Sequence, residues 1–268
     1  MNIYNSAEYF ERDGVEYGVS IGRRQPMHQM HCDSIHEILN AGLKLFYIVG
    51  STNTAFKKDG SVDRLFDPIS NPLTFERQEY QLFSAFPELS DDEVEIIPFD
   101  DLGNLSLWSK NLCNLLSERG VLHKFVFHFR GKEVDRGEVR FVDGGQEVVL
   151  QNAWPTDALL HFGLNIWYSK NLKKEDYDIH SSELRTKPVD EHREEFATPD
   201  YIIKLINEAR ECNPNEAMIK ELPLTMFDLS LDRLNKEAKI TTSEIIKNAS
   251  EVSISGLTQS ANKLLKAL

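Results

Sequence analysis

Two histidines three residues apart, two arginines and a proline fall within ten residues, Gly22-Arg23-Arg24-Gln25-Pro26-Met27-His28-Gln29-Met30-His31. Imidazoles and guanidiniums hydrogen-bond and neutralise anions, and the planar fork of an arginine matches the oxygens of a phosphate. A His-x-x-His pair can instead ligate a metal ion, but no third ligand with supporting spacing accompanies it, and a zinc site needs one. Two solvated or core histidines are the plain alternative. If the pair opens a helix, the unpaired amides and dipole of that helix add positive potential at the same place. His28, His31 and Arg23 are thus the candidate groups of an anion site.

Such a site needs elements that hold it. Residues 15–21, VEYGVSI, are apolar and β-branched enough for a buried strand that Gly22 ends. A helix starting near His28 to His31 would place Ile35, Ile38, Leu39 and Leu43 on one face, and residues 45–50 read as a second strand. Strand, helix and strand within about forty residues form a right-handed βαβ unit, which sets the loop after the first strand beside a ligand crevice. Residues 51–69 are polar and read as a loop, and Thr74 can cap a helix over 75–83. Strands are expected at 94–98 and 123–129, a helix at 104–118, and a strand-turn-strand at 138–150 around Asp143.

Beyond about residue 190 the alternation stops. Tyr201, Ile202, Leu205 and Ile206 define one helix, and Leu231, Leu234, Ile245, Ile246, Leu257, Leu264, Leu265 and Leu268 point to more. The expected architecture is an α/β, Rossmann-like doubly wound parallel sheet over residues 1–190, followed by a helical C-terminal extension over 191–268. That extension would pack on the sheet or on a second copy of the chain in a homo-oligomer.

A formal charge of −13 argues against a general nucleic-acid binder, which needs a basic face to replace counterions. Basic residues nevertheless concentrate at Arg23-Arg24, Lys57-Lys58, Arg77, Arg130 to Lys132 and Arg185 to Lys187, which leaves room for a local anion site. No apolar run reaches the eighteen or so residues of a membrane helix, and the N-terminal residues lack a signal-peptide layout, so no membrane association and a cytoplasmic location are expected. Cys32, Cys113 and Cys212 lack motif spacing and read as reduced, packed thiols.

The decapeptide resembles the GRFQPxHxGH motif of nicotinamide-nucleotide adenylyltransferases in the nucleotidyltransferase superfamily. Arg24 stands for the phenylalanine and Met30 for the glycine before the second histidine. Further elements follow in order. Asn71-Pro72-Leu73-Thr74-Phe75-Glu76-Arg77 resembles the NPFTxxER segment, and Asp100-Asp101 with Asn104 and Trp108 resembles the acidic residue and tryptophan after the third strand. Ile179 to Arg185 is similar to an ISxTxxR segment, and residues 199–206 to the closing helix. The bifunctional relatives carry a GHxKDxS stretch where His128 to Glu133 stands here, and add a Nudix domain whose signature is absent from residues 190–268.

The resemblance implies adenylyl transfer from ATP to nicotinamide mononucleotide, giving NAD and pyrophosphate. It implies an ATP site of Gly22, Arg23, His28, His31, Lys132, Ser181, Ser182 and Arg185, with His28, His31, Arg23 and Arg185 catalytic. Arg130 competes with Lys132 for its role. For the nicotinamide nucleotide it implies Asp101 (or Asp100) accepting from the carboxamide, Trp108 stacking on the ring, and Arg77. Mg2+ would be bound mainly through ATP phosphates. Nicotinate mononucleotide or another phosphorylated acceptor, or a module sensing NAD or ATP without turnover, are the alternatives. Arg77 paired with a neighbouring glutamate, and Trp108 as a core aromatic, are the plain readings of those two residues.

Overall fold

The computed structural model describes residues 2–50, 71–100, 105–132, 138–143, 146–151, 162–172, 181–212 and 223–238. Within them, six strands lie in one parallel sheet: β1 (Ile3–Tyr4), β2 (Tyr17–Gly22), β3 (Lys44–Gly50), β4 (Val94–Phe99), β5 (Phe125–Lys132) and β8 (Asn165–Leu172). Their order is β1-β8-β5-β2-β3-β4, and every neighbouring pair is parallel. Strands β6 (Glu138–Asp143) and β7 (Gln146–Gln151) form a separate antiparallel hairpin.

Strand β3 shows why the sheet is buried on both faces. Leu45, Tyr47 and Val49 point into one apolar cluster, and Phe46 and Ile48 into another, as the two-residue side-chain period requires. Helices α1 (Phe10–Asp13), α2 (Gln29–Asn40) and α3 (Phe75–Ala85) contribute Phe10, Ile35, Ile38 and Leu82 to the first cluster. Helix α4 (Leu105–Ser117) contributes Trp108, Leu112 and Leu116 to the second. Contact between α2 and β2 depends on Gly18, since a Cβ there would lie 2.4 Å from Ile38 Cγ2.

Three further helices, α5 (Ser181–Leu184), α6 (Pro199–Cys212) and α7 (Phe227–Ala238), build a third cluster. Ile202, Leu205 and Ile206 of α6 and Leu229 of α7 close over Leu73, Leu184 and Val189. Buried charge pairs reinforce it, with Arg210 donating to both carboxylate oxygens of Asp228 at 2.9 and 3.1 Å. No helix among the described residues is long and apolar enough to cross a membrane.

The α/β reading holds, with shifts at its edges. The strand expected at 123–129 starts at Phe125 because Leu122–Lys124 form a 3₁₀ turn. Strands β1 and β8 were not foreseen. The expected loop at 51–69, Asp101, Asn104, the turn residues 144–145, Ile179-His180 and the helices beyond 238 with Ile245, Ile246, Leu257, Leu264, Leu265 and Leu268 lie outside the described residues.

Candidate active site

From β2 the chain proceeds outward to β3 and β4, then returns to the other side of β2 to form β5 and β8. In a parallel sheet this reversal opens a crevice at the carboxyl ends of the two strands where the connections diverge. The loop after β2 is the decapeptide. Across the crevice, the last residues of β5 include Arg130 and Lys132, where the register against β8 shifts between Phe129 and Gly131. The Lys132 side chain lies outside what is described.

The decapeptide enters α2 through His28, the N-cap residue, in extended conformation. The amide of His28 donates to Nδ1 of His31 at 3.3 Å. That bond makes Nδ1 the acceptor and leaves Nε2 as the nitrogen that carries a proton in the neutral ring. The two rings lie 3.8 Å apart at 31°. His28 is buried and His31 half-buried. Met30 sits inside the first turn of α2, and Arg24 is the one non-glycine residue with positive φ among the described residues, so the methionine introduces no backbone strain. The helical conformation there needs no glycine.

Segments distant in sequence tie the loop down. Ser181 Oγ donates to the Pro26 carbonyl at 2.9 Å, and Arg185 Nη1 donates to the Gln25 carbonyl at 2.7 Å. Both residues expected at the phosphates therefore converge on the decapeptide, each with a donor engaged by its backbone; Ser182 is half-buried beside them. Gln25, fully buried, accepts from the Leu73 amide at 2.7 Å. The Met27 amide donates to Gln81 Oε1 at 3.3 Å, and Gln81 Nε2 donates to Thr198 Oγ1 at 3.3 Å. From the other side, His28 bridges to Phe196 and the Ala197 amide donates to the Met27 carbonyl at 3.1 Å.

Arg23 is half-buried, its stem 3.7 Å from where a Cβ on Gly50 would stand. Gly22 ends β2 in register with Val49. Arg24 turns inward and is buried. Arg77 faces α7: its Nη2 donates to Asp232 Oδ2 at 3.4 Å, and its carbonyl accepts from the Tyr201 hydroxyl at 3.3 Å. The pairing with Glu76 or Glu79 considered from sequence gives way to this long-range partner. Trp108 is only 5% exposed, with Phe99 edge-on at 5.7 Å, a place that suits core packing better than stacking on a ligand. Asp100 is exposed at the end of β4, and Asp101 lies outside the described residues.

Sequence spacing missed the buried amides. Gln25, Asn71 and Gln81 wire the loop to α3, and their polarity in otherwise apolar or turn-forming stretches was the available signal. His128, placed from sequence only within the GHxKDxS-like stretch, has Nδ1 2.8 Å from Ser34 Oγ and Nε2 3.0 Å from Glu37 Oε2, contacts linking β5 to α2 that spacing did not reveal. The decapeptide itself contains no carboxylate. This donor set suits phosphate and leaves Mg2+ to be held through phosphate oxygens and water. The cluster of His192, Glu194 and Glu195 has metal-like spacing, but Glu195 already pairs with Lys187 at 2.5 Å and His192 at 2.8 Å.

No family model and no curated protein matches the chain. Among solved structures it is similar to a bifunctional NMN adenylyltransferase/ADP ribose pyrophosphatase from Francisella tularensis, at 16% identity and a TM-score of 0.50, over 76% of this chain and 55% of that one. The shared feature is the fold. A structure of such a bifunctional enzyme from the same organism, complexed with AMP and a manganese ion, matches at 16% identity and a TM-score of 0.41, over 68% of this chain and 44% of that one. The chain spans about half the length of these structures. What this chain shares with the first of them is an α/β, Rossmann-like parallel sheet flanked by helices.

Proposed function

We propose that the protein transfers the adenylyl group of ATP to nicotinamide mononucleotide, giving NAD and pyrophosphate. The observation that carries this reading is the seat of the decapeptide. Its paired imidazoles open α2 at the point where the sheet order reverses, with Ser181 and Arg185 brought onto the same loop from more than 150 residues away.

In this chemistry a phosphate oxygen of the mononucleotide attacks the α-phosphorus of ATP, the bond to the bridging oxygen breaks, and pyrophosphate leaves with that electron pair. The nucleophile is already anionic, so the protein supplies position and positive potential and no covalent intermediate. His31, its Nδ1 committed to the His28 amide, has Nε2 to donate to charge developing on the phosphates. Arg23 and the amides of the first turn of α2 add potential at the strand end. Arg185 contributes the positive charge of its guanidinium beside the loop, with Ser182 next to it. Gly22 and Lys132, at the ends of β2 and β5, are assigned to the same ATP side. Bound through the phosphates, Mg2+ would offset their charge.

For the mononucleotide side, Asp101 remains the carboxamide acceptor in this proposal, while Arg77 and Trp108 act through packing of α7 and the core. A second reading, nucleotide binding without turnover, draws on the engagement of Ser181 and Arg185 with loop carbonyls. Incubating the protein with ATP, Mg2+ and either nicotinamide or nicotinate mononucleotide, and following dinucleotide and pyrophosphate, separates these outcomes. Dinucleotide from the nicotinamide substrate is expected. Bound ATP with no pyrophosphate from either acceptor would overturn catalysis and leave the binding role.

A further inference from the structure

Arg24 is 6% exposed, yet its side chain is a guanidinium cation. It lies 4.3 Å over the ring of Tyr47, donates to Ser20 Oγ at 2.6 Å, and reaches the carbonyls of Ile48 at 3.4 Å and Gly22 at 3.5 Å. All these partners are neutral. Its Nε is buried without a hydrogen-bond partner. Among the described residues no carboxylate is paired with it, whereas the half-buried Arg210 has Asp228 and the half-buried Arg77 has Asp232.

The backbone is bent to make this arrangement. Arg24 has φ of +43°, in the left-handed region that side chains other than glycine rarely occupy. An outlier that the surroundings hold in place marks a position where local cost is offset by something else. The guanidinium is wedged beneath the loop, between the carboxyl ends of β2 and β3 and the first turn of α2. The thiol of Cys32, in that turn, is pushed up to about 11 by burial while the charge of Arg24 pulls it down, which places the two within electrostatic reach. A buried ion is stabilised only by an opposite charge or by a full set of hydrogen bonds, and Arg24 has neither among these partners.

We propose that Arg24 is a fixed cation beneath the decapeptide for which the polyphosphate of a bound nucleotide serves as counter-charge, so that it sets affinity for polyphosphates through space. It is a positioning residue, acting without touching the ligand. This rests on the reading of the decapeptide as a phosphate site, but not on turnover.

The test is calorimetric titration of the full-length protein with pyrophosphate, AMP and adenosine, for the unmodified chain and for Arg24→Met, Arg24→Gln and Arg24→Lys. Loss of a charge acting through space scales with the charge on the ligand. Both neutral variants are expected to bind pyrophosphate about tenfold more weakly, AMP less so, and adenosine unchanged, with lysine restoring most of the affinity. Removal of an uncompensated buried charge is also expected to leave the melting temperature of the methionine variant level or raised. If the methionine variant does not fold, the glutamine variant, which retains a donor for Ser20, decides. Unchanged pyrophosphate affinity in a folded neutral variant overturns the proposal, as does an equal loss for adenosine and pyrophosphate. Arg24-dependent pyrophosphate binding in a protein that makes no dinucleotide would sink the adenylyl-transfer reading alone. Normal turnover with Arg24-independent binding would sink this inference alone.

Discussion

Replacing Gly18 by alanine tests how the candidate site is held in register. The added Cβ would stand 2.4 Å from Ile38 Cγ2, 3.1 Å from Cγ1 and 3.2 Å from Cβ. Carbon atoms pack at about 3.5–4.0 Å, so the shortfall at the closest atom is more than about 1 Å. Ile38 cannot turn aside, because a β-branched side chain in a helix has essentially one χ1 rotamer and this one is fully buried among filled neighbours. Helix α2 must therefore ride up on the sheet. Overpacking of this kind costs about 1–3 kcal/mol, less about 0.4–1 kcal/mol gained from a stiffer unfolded chain. Because the same helix begins with His28 and His31, the shift also moves the imidazole pair, and misplacement of about 1 Å can lower turnover roughly a hundredfold. Urea unfolding of Gly18→Ala, Ile38→Ala and the double variant gives the energies. Alone, Ile38→Ala is expected to cost about 2–5 kcal/mol by leaving a cavity, and the double variant to be more stable than the sum of the singles by about 1 kcal/mol or more. A Gly18→Ala protein as stable as the unmodified one, or strictly additive with Ile38→Ala, would refute the close approach of α2 to β2.

Thiol reactivity reports the core on both sides of the sheet: burial pushes Cys32 and Cys113 up to about 11, so at pH 8 only about one in a thousand of each is thiolate. One thiol, the exposed Cys212, is expected to react quickly with a disulfide reagent in the native protein, and all three in denaturant; two fast native thiols would contradict the packing. Gln25→Ala leaves the buried Leu73 amide without its acceptor and is expected to cost about 1–3 kcal/mol in urea unfolding. An unchanged midpoint would remove Gln25 from its place as the hub of the loop. Arg77→Met removes one ion-pair partner of Asp232, so the melting temperature is expected to fall and a double-variant cycle with Asp232→Asn to show coupling of roughly 0.5 kcal/mol or more. A raised KM for the mononucleotide with unchanged stability would instead restore Arg77 to the substrate.

The parallel sheet was legible because β-branched and aromatic runs such as 45–50 are buried on both faces and admit few other structures. The decapeptide was legible because its chemistry is concentrated in ten adjacent residues. Strand β8 was not, since its role depends on Asn165, a buried polar residue whose amide donates to the carbonyls of His123 and Phe125 and accepts from the Asn2 amide. No hydrophobic pattern reveals that. In α7, Leu231 and Leu234 point to the helix, but not to the burial of Asp228, Asp232 and Arg233, which depends on partners in other parts of the chain. Trp108 and Arg77 could be matched to a motif by spacing, but only the fold shows where an indole or a guanidinium is spent. Arg24 carries the same lesson: adjacent to the half-buried Arg23 in sequence, it is buried, at a residue of positive φ that no sequence pattern marks.

Turnover of His31→Ala most directly tests the claim that the decapeptide stabilises the reacting phosphates. With the fold verified by circular dichroism, pyrophosphate release from ATP and nicotinamide mononucleotide is expected to fall at least about a hundredfold, the scale of losing one preorganised donor to developing charge. A folded His31→Ala protein that releases pyrophosphate at close to the unmodified rate would contradict it.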